Sequence, residues 1–316
     1  MTRCENDRNV GRRTFLKSVG AAAAAVSVAG CSSGNDTSNG TDETTGAENS
    51  GGDDATSETS GGETDEFAVD VTMGQMDSGL DPQDHAETNT NIIVSQAYEK
   101  LLDRDKDGSI VAGLATEWER VESGTARFTL REGVTFHDGD PLTSEDVAYS
   151  IRRIVFDDVG VASPQKNDLG SVEEVVAGDG EVTVHFSGLN PIVFQLFATN
   201  GEIVQKAWIE EHSQDHVNRN ANGTGPFELA TYDSMNEVVF EANEDYWGEP
   251  AAVDRLTLNA SSESSTRVNR LLAEESDIVT NVPPQEVSRV QSSDVASVAS
   301  VPSTRVIFLQ MRYDVE

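Results

Sequence analysis

Lysine is almost absent from this chain, and acidic side chains dominate its charge. Of 316 residues, 56 are Asp or Glu and 22 are Lys or Arg, which leaves a formal net charge of -34. Proteins bind nucleic acids by neutralising phosphates with Lys and Arg, so this composition excludes nucleic-acid binding. Long apolar runs are also lacking. None reaches the about 18 residues that indicate a transmembrane helix, which excludes a polytopic membrane protein.

The acidic surplus extends over the whole chain and is not confined to one tail. Residues 32–66 contain 10 acidic and no basic side chains, and residues 67–316 still contain 44 acidic and 17 basic ones. Such a surplus destabilises a compact state by self-repulsion, which about 1 M salt, with a Debye length of roughly 3 Å, largely screens. The composition therefore predicts a halophile's protein that is stable only in concentrated salt.

Cysteine is equally scarce, and both cysteines lie near the N-terminus. They are Cys4 and Cys31. Residues 32–316 can therefore form no disulfide, no cysteine nucleophile and no thiolate zinc site. Nucleophile-elbow (GxSxG) and P-loop motifs are absent as well, which removes the most recognisable hydrolase and nucleotide-binding patterns.

The first 31 residues are typical of an export signal. Arg12 and Arg13 precede an apolar stretch, residues 19–29, that is too short to span a bilayer core of about 30 Å. This order resembles a twin-arginine (Tat) signal, which exports folded proteins. The next residues, Val-Ala-Gly-Cys, end at Cys31 and resemble a lipobox, so we expect cleavage before Cys31 and a lipid on its sulfur. Residues 32–66 are nearly all polar or glycine and predict a disordered linker.

Strand and helix patterns are interleaved through the remaining residues. Alternation predicts strands at Phe67–Met73, Arg127–Arg131 and Glu181–Phe186 and a hairpin within Phe227–Ala242. Helical spacing predicts helices at Asn91–Leu102 and from an N-cap at Thr143 to about Phe156. Glycine and proline predict tight turns at His137–Pro141 and Gly223–Pro226. This order indicates an α/β or mixed α+β fold.

Several blocks of sequence together resemble one protein family. Residues 110–153 include the run RFTLREGVTFHDGDPLTSEDVAYSIRR, and the later blocks are GTGPFEL (223–229) and NEDYWG (243–248). Leu80–Pro82 and Tyr98–Leu102 fit the N-terminal part. In this order the blocks resemble the family 5 extracellular solute-binding proteins of ABC importers, the peptide- and nickel-binding group. The chain departs from the family pattern at Ala273–Ile278, which we interpret as a local surface change.

The resemblance implies a periplasmic-binding-protein-like fold of type II. Residues 67–303 would form lobe I, with a subdomain inserted at roughly 110–190. Residues 304–316 would begin the strand that crosses to the second lobe. Since the family's members are nearly twice as long, that second lobe is expected to be essentially missing from this sequence.

The resemblance also implies binding without catalysis. We expect a monomeric, lipid-anchored receptor on the outer face of the cytoplasmic membrane, which delivers di- or oligopeptides to the permease and ATPase subunits. It would use no cofactor and no resident metal. Capture of nickel or a metal chelate is the alternative within the family. Ligand contacts are expected from the turn after the first strand and from the segment after the apolar run 192–198, at Gln75, Met76, Asp77, Ser78, Asn200 and Gly201.

Three further patterns relate to functions other than solute binding. The run DRDKDG (103–108) imitates the start of an EF-hand calcium loop, but Leu114 stands where a bidentate Glu is required, so we predict a hairpin turn. His212 and His216 lie four residues apart on a predicted helix, a spacing at which two imidazoles can bind one divalent metal. An exported metal-dependent hydrolase is therefore the alternative from a different functional class. Asn-x-Ser/Thr sequons, which are candidates for glycosylation, begin at Asn35, Asn39, Asn222 and Asn259.

Overall fold

The computed structural model describes residues 66–76, 78–156, 158–169 and 171–300. The strands are β1 (Ala68–Met73), β2 (Leu102–Arg104), β3 (Ile110–Ala112), β4 (Ala115–Glu122), β5 (Thr125–Leu130), β6 (Val172–Ala177), β7 (Glu181–Phe186), β8 (Phe227–Asp233), β9 (Glu237–Ala242), β10 (Arg255–Ala260) and β11 (Ile278–Val279). The helices are α1 (Thr88–Val94), α2 (Ser144–Val155), α3 (Lys166–Leu169), α4 (Val193–Phe197), α5 (Lys206–Glu211), α6 (Gln214–Val217), α7 (Ser264–Leu272) and α8 (Pro284–Gln291).

A five-stranded mixed sheet joins the first strand to the last ones. Its order is β11-β1-β10-β9-β8. Strand β1 pairs in parallel with β10, with Ala68 opposite Arg255, and in parallel with β11, with Val71 opposite Ile278. Strand β9 runs antiparallel to both β10 and β8. The carboxyl ends of β1, β10, β11 and β8 therefore lie along one edge of this sheet.

A four-stranded antiparallel sheet has the strand order β4-β5-β7-β6. Strand β7 alternates as the sequence predicted, with Val182, Val184 and Phe186 buried. Helix α2 packs on β6 and β7. It begins with the predicted cap, since the Thr143 side chain accepts from the Asp146 backbone and Asp146 accepts from the Thr143 backbone, which satisfies two amides at the helix start.

A buried polar cluster joins the segment after β1 to helix α2. The Arg153 guanidinium makes two hydrogen bonds with the Asp81 carboxylate, at 2.9 and 2.6 Å, and a third with the Gln83 side chain at 3.0 Å. Both charged residues are at most 1 % exposed. Burial alone would raise the pKa of Asp81, but the hydrogen bonds and charge of Arg153 hold it below its ordinary value. The pair fixes the residues after β1 against helix α2.

The mixed α/β prediction is confirmed, but the helix predicted at Asn91–Leu102 is wrong in extent. Helix α1 covers Thr88–Val94, and Leu102 already begins β2. The chain leaves the helix because the carbonyls of Gln96 and Ala97 accept hydrogen bonds from the backbone of Phe227 and Gly225, at 3.2 and 2.9 Å. Long-range backbone pairing therefore prevails over the local helical pattern.

The interpretation of Ala273–Ile278 as a surface change holds for Ala273, Glu274, Glu275 and Ile278, which are exposed, but not for the two residues between them. Ser276 is buried, and its hydroxyl lies 2.9 Å from that of Thr72 on β1. The Asp277 carboxylate accepts from the Asp70 backbone at 2.9 Å. This segment therefore joins β11 to β1, a contact between residues more than 200 positions apart that local sequence cannot show.

Several predictions fall on residues outside the described ranges. These are the export signal with Arg12 and Arg13, lipidation at Cys31, the linker 32–66 up to Asp65, residue Asp77, and the crossover strand 304–316. Among the described residues, no helix has both the length and the apolar character needed to cross a membrane.

Candidate functional site

The carboxyl edge of the parallel strands is the candidate binding face. Two loops leave the sheet side by side there, because β1 and β11 are neighbours in the sheet. Gly74, Gln75 and Ser78 follow β1, and Thr280 and Asn281 follow β11. In open α/β sheets, ligands bind outside the carboxyl ends of the strands, where adjacent loops diverge.

The loop after β1 is held in place by side chains from the segment that leads into α1. The Asn89 amide donates to the Gln75 carbonyl at 2.8 Å, and the Ser78 hydroxyl donates to the Glu87 carboxylate at 2.8 Å. The Ser78 hydrogen bond is the main reason why the pKa of Glu87 lies below its ordinary value. A Cβ at Gly74 would lie 2.6 Å from the Asn89 amide nitrogen, so a larger residue there would displace the amide that bonds to Gln75. These contacts hold Gln75 and Ser78, on either side of Asp77.

Arg267 on helix α7 holds the neighbouring loops. Its guanidinium donates to the carbonyls of Ser261 and Ser262, at 2.6 and 3.1 Å, and to those of Thr280 and Asn281, at 3.3 and 3.4 Å. The side chain is 6 % exposed. One buried cation thus ties the loop after β10 to the loop after β11. Sequence reasoning missed Arg267, Thr280 and Asn281, because nothing local separates this arginine from a surface arginine.

The first predicted group of ligand residues follows β1. Gln75 is exposed and Ser78 is half-buried, so both are accessible to solvent. Met76 is 1 % exposed and packs in the core of the five-stranded sheet. Asp77 lies outside the described residues. Ligand contact by this group stays a prediction, and the structure supports it best for Gln75 and Ser78.

The second predicted group, Asn200 and Gly201, contacts a different part of the molecule. The Asn200 amide donates to the Asp168 carboxylate at 3.1 Å, and the Gly201 backbone donates to the Gln165 side chain at 3.3 Å. Gly201 has a φ of 90°, which favours glycine. These contacts explain both residues as supports of the segment that follows α4, and their ligand role stays a prediction.

Glu99 connects three of the sequence blocks that carried the family resemblance. Its carboxylate accepts from the Thr224 hydroxyl at 2.8 Å, the Tyr246 hydroxyl at 2.8 Å and the Trp247 indole at 2.9 Å. Burial raises the pKa of Glu99, although these three donors lower it. The blocks at 98–102, 223–229 and 243–248 therefore serve the scaffold.

The turn at His137–Pro141 joins the same scaffold. Gly139 has a φ of 88°, as a tight turn requires. The His137 backbone donates to the Gly223 carbonyl at 2.9 Å, and the Asn222 amide donates to the Asp138 carboxylate at 2.8 Å. Asn222 is 4 % exposed, so its sequon is not accessible for glycosylation in the folded chain. Asn35 and Asn39 lie outside the described residues, and Asn259 is half-buried on β10.

The two histidines of the hydrolase alternative do not share a helix. Helix α5 ends at Glu211, and the Ser213 side chain caps α6. The imidazole rings of His212 and His216 stack with centroids 4.1 Å apart and planes 19° apart. Nearly parallel rings point their nitrogen lone pairs side by side and not toward one ion. The Nδ1–H of His212 is also engaged, since it donates to the Trp208 carbonyl at 2.8 Å. This geometry does not form the chelate that the hydrolase alternative requires.

The calcium-loop imitation is a hairpin turn between β2 and β3, as predicted. The Asp105 backbone donates to the Ser109 carbonyl at 2.9 Å, and the Asp107 carboxylate accepts from the Ser109 backbone and hydroxyl. The carboxylate of Asp107 is therefore used to close the turn. Gly108 has a φ of 83°, which accounts for the glycine.

Comparison with known proteins finds one family. The model for "Bacterial extracellular solute-binding proteins, family 5 Middle" matches residues 109–316. A probable D,D-dipeptide-binding periplasmic protein of Escherichia coli is 28 % identical over 245 residues, which are 73 % of this chain and 46 % of that protein. The nickel-binding periplasmic protein of Escherichia coli is 28 % identical over 176 residues, which are 55 % of this chain and 33 % of that protein.

Solved structures agree with the fold. A periplasmic binding protein of Agrobacterium tumefaciens in complex with agropinic acid has a TM-score of 0.67 and 25 % identity, covering 72 % of this chain and 46 % of that one. An ABC transporter-associated periplasmic binding protein of Helicobacter pylori in complex with the peptide STSA has a TM-score of 0.65 and 21 % identity, covering 72 % and 50 %. The chain thus spans about half the length, or less, of the relatives that it matches.

Proposed function

Because this chain belongs to family 5 of the extracellular solute-binding proteins, we propose that it is the solute-binding component of an ABC importer and carries short peptides. The observation that carries the proposal is the pair of loops at the carboxyl edge of the five-stranded sheet. They are fixed by Asn89, Glu87 and Arg267 and leave Gln75 and Ser78 accessible. A preorganised face of this kind lowers the entropic cost of ligand binding.

The proposed action is capture and delivery without turnover. Full-length relatives would close a second lobe over this face by hinge motion, and a permease would recognise the closed form. Peptides are favoured as the solute because several relatives that match most of this chain are named for dipeptide or oligopeptide binding. Nickel or a nickel chelate is the alternative, because nickel-binding proteins also match this chain.

We further propose an anchored, extracytoplasmic location in a halophilic archaeon. The order of the N-terminal segments fits a signal, an anchor and a tether. These are the twin-arginine pair Arg12 and Arg13, the lipobox ending at Cys31 and the polar linker 32–66. The net charge of -34 is suited to concentrated salt. Permease and ATPase subunits are the partners that this location implies.

Titration calorimetry in concentrated KCl tests the solute class. The full chain is titrated with dialanine, trialanine, an acetylated and amidated dialanine, free Ni²⁺ and a nickel–histidine chelate. Saturable heat with an unmodified peptide, and recovery of that peptide unchanged, supports a peptide receptor. Saturable heat with the nickel species and not with peptides would indicate a metal-binding receptor in place of a peptide receptor. Hydrolysis of a peptide, or indifference to every probe, would contradict it.

A further inference from the structure

An exposed apolar loop connects β7 to α4. Leu189 and Ile192 are 61 % and 52 % exposed, and Pro191 is exposed as well. Single exposed apolar side chains are ordinary on globular proteins, but three of them within four residues form a patch. Residues 187–192 are called the apolar loop below.

The sequence on both sides of the apolar loop carries no formal charge. Residues 182–201 contain no Asp, Glu, Lys or Arg, although these four types make up 25 % of the chain, which has a net charge of -34. Carboxylates elsewhere on the surface would repel anionic lipid headgroups and attract basic protein surfaces. This stretch does neither, so it is suited to a partner that is apolar and offers no charge to pair with.

Hydrogen bonds from the residues behind it fix the conformation of the apolar loop. The Arg120 guanidinium donates to the Asn190 carbonyl at 2.6 Å, and the Ile192 backbone donates to the Asn190 side-chain oxygen at 3.1 Å. Val193, which follows directly, is fully buried and fastens the end of the loop to the core. Because the loop is already ordered, a partner that covers it pays little conformational entropy.

The proposed lipid anchor at Cys31 keeps the apolar loop within reach of a bilayer. Residues 32–65 separate Cys31 from the described part of the chain, and a segment of this length spans at most about 120 Å whatever its conformation. A tethered surface meets the bilayer at a much higher effective concentration than a free protein does, so a weak contact is sufficient. At about 1 M salt, where the Debye length is roughly 3 Å, repulsion between the acidic surface and anionic headgroups is largely screened.

We propose that the apolar loop inserts into the lipid surface to which the chain is anchored. Leu189, Pro191 and Ile192 bury their side chains at the boundary between headgroups and acyl chains, where apolar groups of peripheral elements are stabilised. The loop thereby adds a second, non-covalent membrane contact and gives the anchored lobe a preferred orientation on the bilayer. This inference rests on the proposed anchored location and goes beyond the binding of the solute.

Tryptophan fluorescence of the lipidated full chain in vesicles tests the inference. Leu189→Trp places the reporter in the apolar loop. Val295→Trp is the matched control, because Val295 is 52 % exposed, as Ile192 is, but follows the acidic Asp294. The vesicles contain phosphatidylglycerol and phosphatidylcholine in concentrated KCl, with and without brominated acyl chains, and the spectrum of wild type is subtracted.

We expect the Leu189→Trp emission to shift to shorter wavelength in vesicles and to fall by about twofold or more with brominated lipid. The Val295→Trp emission should change in neither respect. Ile192→Ser, added to Leu189→Trp, should weaken the quenching because it removes a neighbouring apolar contact. Since Ile192 is exposed, this change should leave the circular dichroism spectrum unaltered.

Three results would overturn the inference. Quenching of Leu189→Trp no stronger than that of Val295→Trp would exclude insertion of the loop, while the proposed solute binding and anchor would stand. A shift that occurs without vesicles and grows with protein concentration would assign the loop to contact between copies of the chain. If mass spectrometry finds no lipid on Cys31, the anchored location fails and this inference fails with it.

Discussion

Asp81→Asn removes one charge from the buried pair with Arg153 and leaves the shape of the side chain nearly unchanged. Arg153 then stays 1 % exposed without a counter-charge. The asparagine amide would also present a donor to either Arg153 or Gln214, both of which donate to Asp81. Breaking a buried ion pair by removing one partner costs about 3–5 kcal/mol. Against the 5–15 kcal/mol of a typical domain, we expect a loss of about a fifth or more of the free energy of unfolding.

Urea unfolding at constant high salt, followed by circular dichroism, measures this loss. Arg255→Met is the control, because Arg255 and Glu241 form an exposed pair at 3.6 Å that should contribute under about 1 kcal/mol. The double variant Asp81→Asn/Arg153→Met should lose less than the sum of the two single variants, since it leaves no unpaired buried charge. A loss for Asp81→Asn no larger than that of the control would refute the reasoning.

The same variant changes the acid dependence in a defined direction. The pKa of Asp81 is lowered in the folded chain. Its contribution to stability is therefore present above the ordinary value of 3.8 and is lost as the pH falls through the lower folded value. The unfolding free energy of Asp81→Asn should decline less steeply than that of wild type in that acid range. A steeper decline in the variant would contradict the assigned direction.

Four further predictions address the scaffold, the surface and the terminus. The midpoint of thermal unfolding should rise with KCl well beyond about 0.1 M, and salt-independent unfolding would contradict the role given to the acidic surplus. Burial raises the pKa of Glu202, so the unfolding free energy of the wild type should fall as the pH rises from 4.5 through the raised pKa. Glu202→Gln should make that fall less steep, and identical pH profiles of stability for the two proteins would refute the prediction. Gly223→Ala should lower the free energy of unfolding by at least about 3 kcal/mol, because its Cβ would overlap the Ala97 carbonyl. Gly188→Ala is the control, because its Cβ would meet nothing within 4 Å. Equal losses of stability in the two variants would contradict the packing at Gly223. Cys31→Ser should abolish a lipid mass increment seen by mass spectrometry of the membrane fraction, and an unlipidated wild type would exclude the anchor.

Local sequence patterns correctly predicted the strands and helices in which buried and exposed residues recur with the period of that structure. Strand β7, the β8–β9 hairpin and the capped helix α2 were found where alternation and the Thr143 cap placed them. The segment after Val94 could not be predicted in this way. Its carbonyls pair with a strand that follows more than 120 residues later, and no local propensity records such a contact.

The candidate site was predictable only in part. The turn after β1 could be placed because a loop that follows the first strand of a parallel sheet lies at the carboxyl edge. Arg267 could not be placed, since its role depends on which loops come together at that edge. The sequence blocks 98–102, 223–229 and 243–248 identified the family, yet the structure shows that they converge on Glu99 and support the scaffold.

Hydrogen–deuterium exchange of the full chain with and without trialanine, in concentrated salt, tests the central claim most directly. We predict slower exchange in the two loops at the carboxyl edge, residues 74–79 and 278–283. The four-stranded sheet β4–β7 should be unchanged. Protection confined to that sheet, or trialanine returned as hydrolysed product, would contradict a solute-binding lobe whose ligand face is the carboxyl edge of its parallel strands.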